Sequence, residues 1–159
     1  RDTTGLTIVA KHALAGGILG NAVAKRAIHR TYYAVCSGCT PIRMRISAPI
    51  ARKDASTIER CVDFKRGEYA VTDFIRIKYN PDNNLSLVKL RLLTGRTHQI
   101  RVHMKYIGFP LIGDFLYNPD YTYISRQALH SGRLVFTHPV TGQKMNLISD
   151  IPSDMKSLF

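Results

Sequence analysis

"FIRIKYNPDNNLSLVKLRLL" (74–93) decides the fold class. Ile75, Ile77 and Tyr79 alternate with Arg76 and Lys78, and Val88, Leu90 and Leu92 alternate with Lys89 and Arg91. A period of two is that of a strand with one face in the core and one in water. "NPDNN" (80–84) between the runs is dense in turn formers, so the stretch predicts a β-hairpin with an apolar and a basic face.

Downstream of Thr94-Gly95 the period lengthens. Ile100, Met104 and Ile107 fall at helical spacing, Thr97 is the expected N-cap, and Gly108 with Pro110 ends the helix. Residues 111–159 alternate short strands and turns around Pro119, Pro139 and Gly142. Upstream, "LTIVAK" (6–11) predicts a strand. Residues 13–26 predict a helix through Leu14, Ile18, Ala22 and Val23, weakened by Gly16, Gly17 and Gly20. "RTYYAVC" (30–36) predicts a strand closed by Ser37-Gly38 and Pro41, and 43–70 reads as connecting structure with short strands. Strands and helices follow no βαβ rhythm, so the expected class is α+β, a mixed, mainly antiparallel sheet with flanking helices in one domain over 1–159.

The chain has 159 residues, is 45% hydrophobic and carries a formal charge of +12, which predicts a real core and a polyanionic partner, RNA or DNA. No apolar run reaches the ~18 residues of a membrane helix, and no basic-then-apolar leader opens the chain; no membrane association and no obligate protein partner are expected. Cys36, Cys39 and Cys61 are odd in number, which points to a reducing cytoplasm. The first residue is not Met, and the expectation is a segment of a longer polypeptide.

"TGRTHQIRVHM" (94–104) concentrates Arg96, His98, Arg101 and His103. A zinc helix sets two histidines four residues apart on one face; His98 and His103 are five apart, about 140° around the helix, so no metal is predicted. Cys36 and Cys39 form a lone CxxC without a fourth ligand or a following helix, and read as ordinary thiols. Arg96 stands at a helix N-terminus, where free N–H groups and a guanidinium fork suit a carboxylate or a phosphate. Residue types alone do not choose between the two.

Longer stretches carry a resemblance. "LLTGRTHQIRVHM" (92–104) and "GFPLIGDFLY" (108–117) closely resemble the hallmark of the RluA-type pseudouridine synthases. "DTTGLTIVAK" (2–11), "HRTYYAVCSG" (29–38) and "RQALHSGRLVFTHPVTGQ" (126–143) resemble further segments of that family in the same order. The resemblance implies the pseudouridine synthase catalytic fold with its N-terminal part absent, so that residues 1–159 form its C-terminal portion and leave apolar surface and sheet edges uncovered. It implies an enzyme that isomerises uridine to pseudouridine in structured RNA, ribosomal RNA first and transfer RNA next, with no cofactor; the alternative is a non-catalytic RNA-binding module of the same descent. Tyr32 and Arg96 match the family's catalytic tyrosine and arginine. Arg30, Thr97, His98, Gln99, Arg101 and His103 are the implied RNA contacts. Thr3-Thr4-Gly5 match the residues that follow the family's catalytic aspartate, which would stand immediately before Arg1 as the expected partner of Arg96. Asp2 is not a substitute: a shift of two residues along an extended chain is about 6–7 Å. Asp114 and Tyr117 are implied to be structural.

Overall fold

The computed structural model describes residues 2–159. Nine strands are formed among them: β1 (Thr4–Gly5), β2 (His29–Ser37), β3 (Arg43–Ser47), β4 (Ile50–Arg52), β5 (Arg60–Val62), β6 (Val71–Asn80), β7 (Leu85–Leu92), β8 (Leu129–Thr137) and β9 (Lys144–Ile148). The helices are α1 (Ala13–Ala24), α2 (Gln99–Tyr106) and α3 (Ser153–Lys156). The main sheet runs β1-β8-β2-β7-β6-β3, with β9 also on β8, and β4-β5 pair separately. Every ladder is antiparallel except β1 with β8. The fold is therefore the expected α+β class with a mixed, mainly antiparallel sheet.

One face of the sheet packs on α2. Ala34 and Cys36 of β2, Ile46 of β3, Phe74 of β6 and Val88 and Leu90 of β7 bury against Ile100 and Met104. The Cys36 thiol is fully enclosed there, which pushes its pKa far up and leaves it inert. On the opposite face Val35 and Leu85 are covered by Ile112, Ile124, Met155 and Leu158.

The hairpin forms where expected, but β6 lies in the opposite phase. Phe74 pairs with Leu90 and is buried, whereas Ile75 and Ile77 are about half exposed, at 48% and 51%. A register shift between Arg76 and Lys78 places Ile77 at an irregularity. The alternation in β6 was real; Phe74 and Thr72, not the isoleucines, belong to the core face.

The expected strand at 6–11 does not form. β1 pairs with His130 and Ser131 only, Leu6 N–H adds one bond to the Ser131 carbonyl (3.0 Å), and from Arg133 onward the β8 edge belongs to β9. With no free edge left, 7–11 runs on without a ladder and Val9 is exposed. The helix expected over 13–26 spans Ala13–Ala24, and Leu14, Ile18 and Val23 stand in the open. Thr97 is not the cap of α2. His98 holds that place in the left-handed region at φ 57°, with no side-chain cap bond.

Leu90 joins the two core strands to α2 with no exposed surface. Leu90→Ala is expected to cost about 2–5 kcal/mol of unfolding free energy, transfer and cavity together. Urea denaturation checks it; a loss well under 1 kcal/mol would contradict this account of the core.

Candidate active site

The segment from Thr94 to Met104 folds around one amide. Gln99 Oε1 accepts from the Thr94 hydroxyl (2.8 Å) and from Arg96 N–H (2.9 Å). Gln99 Nε2 donates to the Val71 carbonyl (2.9 Å) and to the Thr72 hydroxyl (3.0 Å). Thr72 in turn lies 2.9 Å from His103 Nδ1, and His103 Nε2 lies 2.8 Å from the Ala48 carbonyl. A carbonyl only accepts, so Nε2 carries the proton and Nδ1 accepts from Thr72. Burial holds His103 below the ordinary histidine pKa, keeping it neutral.

Arg101 turns the other way around α2. Its Nε and Nη2 donate to Asp114 at 2.7 and 2.6 Å, with both side chains buried. Asp114 Oδ1 also accepts from Leu116 and Tyr117 N–H, and the guanidinium lies 4.8 Å over the Tyr117 ring. Asp114 and Tyr117 are thus structural, as the resemblance implied. Of the residues expected to touch RNA, Gln99, Arg101 and His103 act first as an internal scaffold. All three are enclosed and bonded to protein groups; His103 lies away from the cleft that holds Tyr32 and Arg96, whereas Gln99 and Arg101 form part of its wall.

What the scaffold leaves open is a cavity of about 290 Å³. Tyr32 of β2 enters it beside Leu92 and Leu129, Arg96 enters from the loop before α2, and Thr3 and Gln127 close a further side. Residues 64 positions apart in sequence are brought to one cleft because β2 pairs with β7, which runs directly into the Arg96 loop. Burial raises the Tyr32 phenol pKa, opposed in part by Arg30, so the hydroxyl keeps its proton at neutral pH. Arg96 donates from Nε to the Tyr69 carbonyl (3.2 Å) and pairs through Nη1 with Glu68. His98 shares the cavity, bonded through Nδ1 to the Tyr117 hydroxyl (3.0 Å); burial, then Arg101, lowers its pKa. Arg30 is half-buried and Thr97 exposed, both accessible from outside.

The first described residues arrive at the same cleft. Gln127 Nε2 donates to the Thr3 hydroxyl (2.8 Å), and Thr4 Oγ1 lies 2.9 Å from His130 Nδ1. Gly5, at φ 93°, lets the backbone press on the Ser131 carbonyl, which an added Cβ would meet at 2.3 Å. Arg1 lies outside the described residues. Thr3, Glu68 and Gln127 received no role in the sequence reading. Thr3 and Gln127 fall in quoted motifs, whereas Glu68 has no local signal.

The sequence that lines this cleft and the fold that carries it resemble known proteins. The family model described as RNA pseudouridylate synthase matches residues 1–106. The chain belongs to that family. It is 45% identical to the uncharacterized RNA pseudouridine synthase YjbO of Bacillus subtilis (strain 168), covering 100% of this chain and 56% of that protein. It is 37% identical to the ribosomal large subunit pseudouridine synthase D of Zymomonas mobilis, with 100% and 53% covered. Among solved structures it resembles human RNA pseudouridylate synthase domain containing 1, with a TM-score of 0.77, 26% identity, and 89% and 62% of the two chains covered. The chain spans about half the length of the curated relatives it matches. Within the pseudouridylate synthase match lie Thr3, Tyr32, Glu68 and Arg96; Gln127 lies beyond it, in the stretch shared with the relatives.

The scaffold makes two demands. Asp114→Ala strands a buried guanidinium and is expected to cost about 3–5 kcal/mol, while Arg101→Met with Asp114→Leu recovers most of that loss. A double-mutant cycle by urea denaturation measures this, and equal losses in both variants would contradict it. His103 stays neutral when folded and titrates near 6.5 when unfolded. The unfolded chain therefore binds more protons just below that pH, and stability falls as pH drops from 6.5 toward the depressed folded value. His103→Gln is expected to flatten part of this slope, His98 supplying the rest; stability–pH curves parallel to those of the unaltered protein would refute the assignment.

Proposed function

We propose that this chain supplies the tyrosine and arginine of an RNA pseudouridine synthase acting on structured RNA, ribosomal RNA first and transfer RNA next, in the cytoplasm. The observation that carries the reading is the meeting of Tyr32, Arg96 and Thr3 in one cavity, within the stretch that matches the family model. No helix among the described residues is long and apolar enough to cross a membrane.

The reaction is an isomerisation. The N1–C1′ bond of uridine breaks, the base turns, C5 bonds to C1′, the C5 proton leaves and N1 takes one up. Reaching C1′ requires the uridine to leave its stack, which costs a few kcal/mol, and the apolar wall of Leu92 and Leu129 beside Tyr32 supports an extruded base. Tyr32, neutral at its raised pKa, lies along the base and assists the loss of the C5 proton. The nucleophile in this proposal is the family's aspartate, which the matched motif sets just ahead of Arg1. Arg96 pairs with it and favours its ionised form. Glu68 and the Tyr69 carbonyl hold Arg96 through Nη1 and Nε at the cleft, so the aspartate in this proposal shares the guanidinium with Glu68 or displaces it. Arg30, Thr97 and His98 are the contacts proposed for RNA around the opening.

In the complete protein, Tyr32→Phe and Arg96→Ala are each expected to abolish pseudouridine formation and keep most RNA affinity. Tritium release from RNA labelled at uridine C5 measures the first, filter binding the second. Release at the unaltered rate by either variant would overturn the assignment.

A further inference from the structure

The sheet face turned away from the cleft is divided. Its half nearest Val35 and Leu85 is apolar and covered by the C-terminal segment. Its other half is open and basic. Cross-strand pairing aligns Arg45 with Asp73, Asp73 with Arg91, Arg91 with Thr31, and Thr31 with Arg133, one residue from each of five adjacent strands. Partners in register point to the same side, so Arg45, Arg91 and Arg133 form a row about 19 Å long at the usual strand spacing. Next to it runs a second row, where Arg43 pairs with Ile75 and Ile75 with Lys89. A groove of about 590 Å³ lies between these strands, with Asp73, Lys89, Arg91 and Arg133 on its walls.

All five cations are exposed. Asp73 is the only carboxylate in the two rows, and Arg45 takes it in a bidentate pair at 2.6 and 2.8 Å. Arg133 donates to the neutral Asn146 side chain (2.9 Å), and among the described residues no carboxylate forms an ion pair with Lys89 or Arg91. Holding like charges on one open face costs self-repulsion, which an anionic occupant relieves. Tyr33, the aromatic neighbour of Lys89 in the ladder, packs toward Gly132 and the covered half, so the two rows themselves offer bases no stacking platform. The chemistry is that of phosphate contact without base reading.

We propose that this face binds the phosphate backbone of an RNA segment other than the one in the cleft, independently of its sequence. The row lies on the side of the sheet opposite Tyr32, whose ladder neighbours Thr31 and Tyr33 point away from it. One extended duplex cannot touch both sides, so the face holds a remote part of a folded RNA. The inference adds a surface to the proposed function and uses none of its catalytic assignments.

The test is the salt dependence of binding to a long structured RNA, with a short hairpin alongside. Each duplex phosphate released removes about 0.9 from the slope of log K against log salt. Lys89→Gln, Arg91→Gln and Arg133→Gln combined are expected to lower that slope by about 2–3 on the long RNA, and far less on the hairpin. The charge-keeping set Lys89→Arg, Arg91→Lys and Arg133→Lys is expected to retain it. An unchanged slope in a glutamine variant that melts like the unaltered protein would overturn the proposal. So would an unchanged slope accompanied by a shift in monomer–dimer equilibrium, which would make the face a contact between protein copies. Arg96→Ala separates the two claims, because it tests turnover while leaving this face intact.

Discussion

The Gln99 side chain is the constraint on which the site depends. An amide can make four hydrogen bonds, and Gln99 makes all four inside the protein: two accepted from Thr94 and Arg96, two donated to Val71 and Thr72. It thereby fixes the start of β6, the end of the loop after β7 and the first turn of α2 with one planar group. Arg96 follows from this, since its backbone N–H is one of the four partners. A buried network of this kind is stabilising only when complete, because each orphaned group would cost about 1–3 kcal/mol. Thr72 passes the same demand to His103 and on to the Ala48 carbonyl, so β3, β6 and α2 share one polar seam.

That seam explains how a strongly basic chain keeps cations inside. Arg101 is enclosed only because Asp114 meets it through both oxygens and aromatic rings cover it. Arg43, Arg45, Arg91 and Arg133 of the sheet stay on its open side, opposite the cleft. Two kinds of arginine result: those spent on architecture, with their forks saturated, and those whose charge is still available to an anion. Arg96 belongs to neither group alone, being anchored by Tyr69 and Glu68 yet still part of the cavity wall.

Much of this was legible in one dimension, and the failures have physical causes. β7 and α2 were readable because alternation or helical spacing coincides with burial in each, and β2 because its apolar run, buried on both faces, is closed by Ser37-Gly38. β6 alternates too, but both its phases contain apolar residues, and only pairing of Phe74 with Leu90 selects one. The 6–11 strand failed on a property no local pattern encodes, the occupation of the β8 edge by β9. Motif matching named Tyr32 and Arg96, which meet in one cavity, but it gave no sign that Gln99, Arg101 and His103 are enclosed and bonded within the protein. A polar residue that binds a ligand and one that satisfies a buried backbone group have the same letter. Burial tells them apart, and burial here is set by Asp114, Thr72 and Ala48, which are 13, 31 and 55 residues away.

The cleft also has no existence apart from the complete sheet. Thr3 reaches it through β1 on β8, Tyr32 through β2, Arg96 through β7, and Gln127 through the turn into β8. The Thr3–Gln127 bond closes a separation of 124 residues. Loop-closure entropy grows only slowly with length, so such a contact is thermodynamically cheap once the strands between are paired. The site therefore depends on strands that the Gln99 seam helps to fix. A change that loosens that seam reaches Arg96 before it reaches Tyr32, because Arg96 sits on the loop the seam ties down and Tyr32 on a strand held by two neighbours. Positioning of the arginine, more than of the tyrosine, is the quantity this fold has to defend.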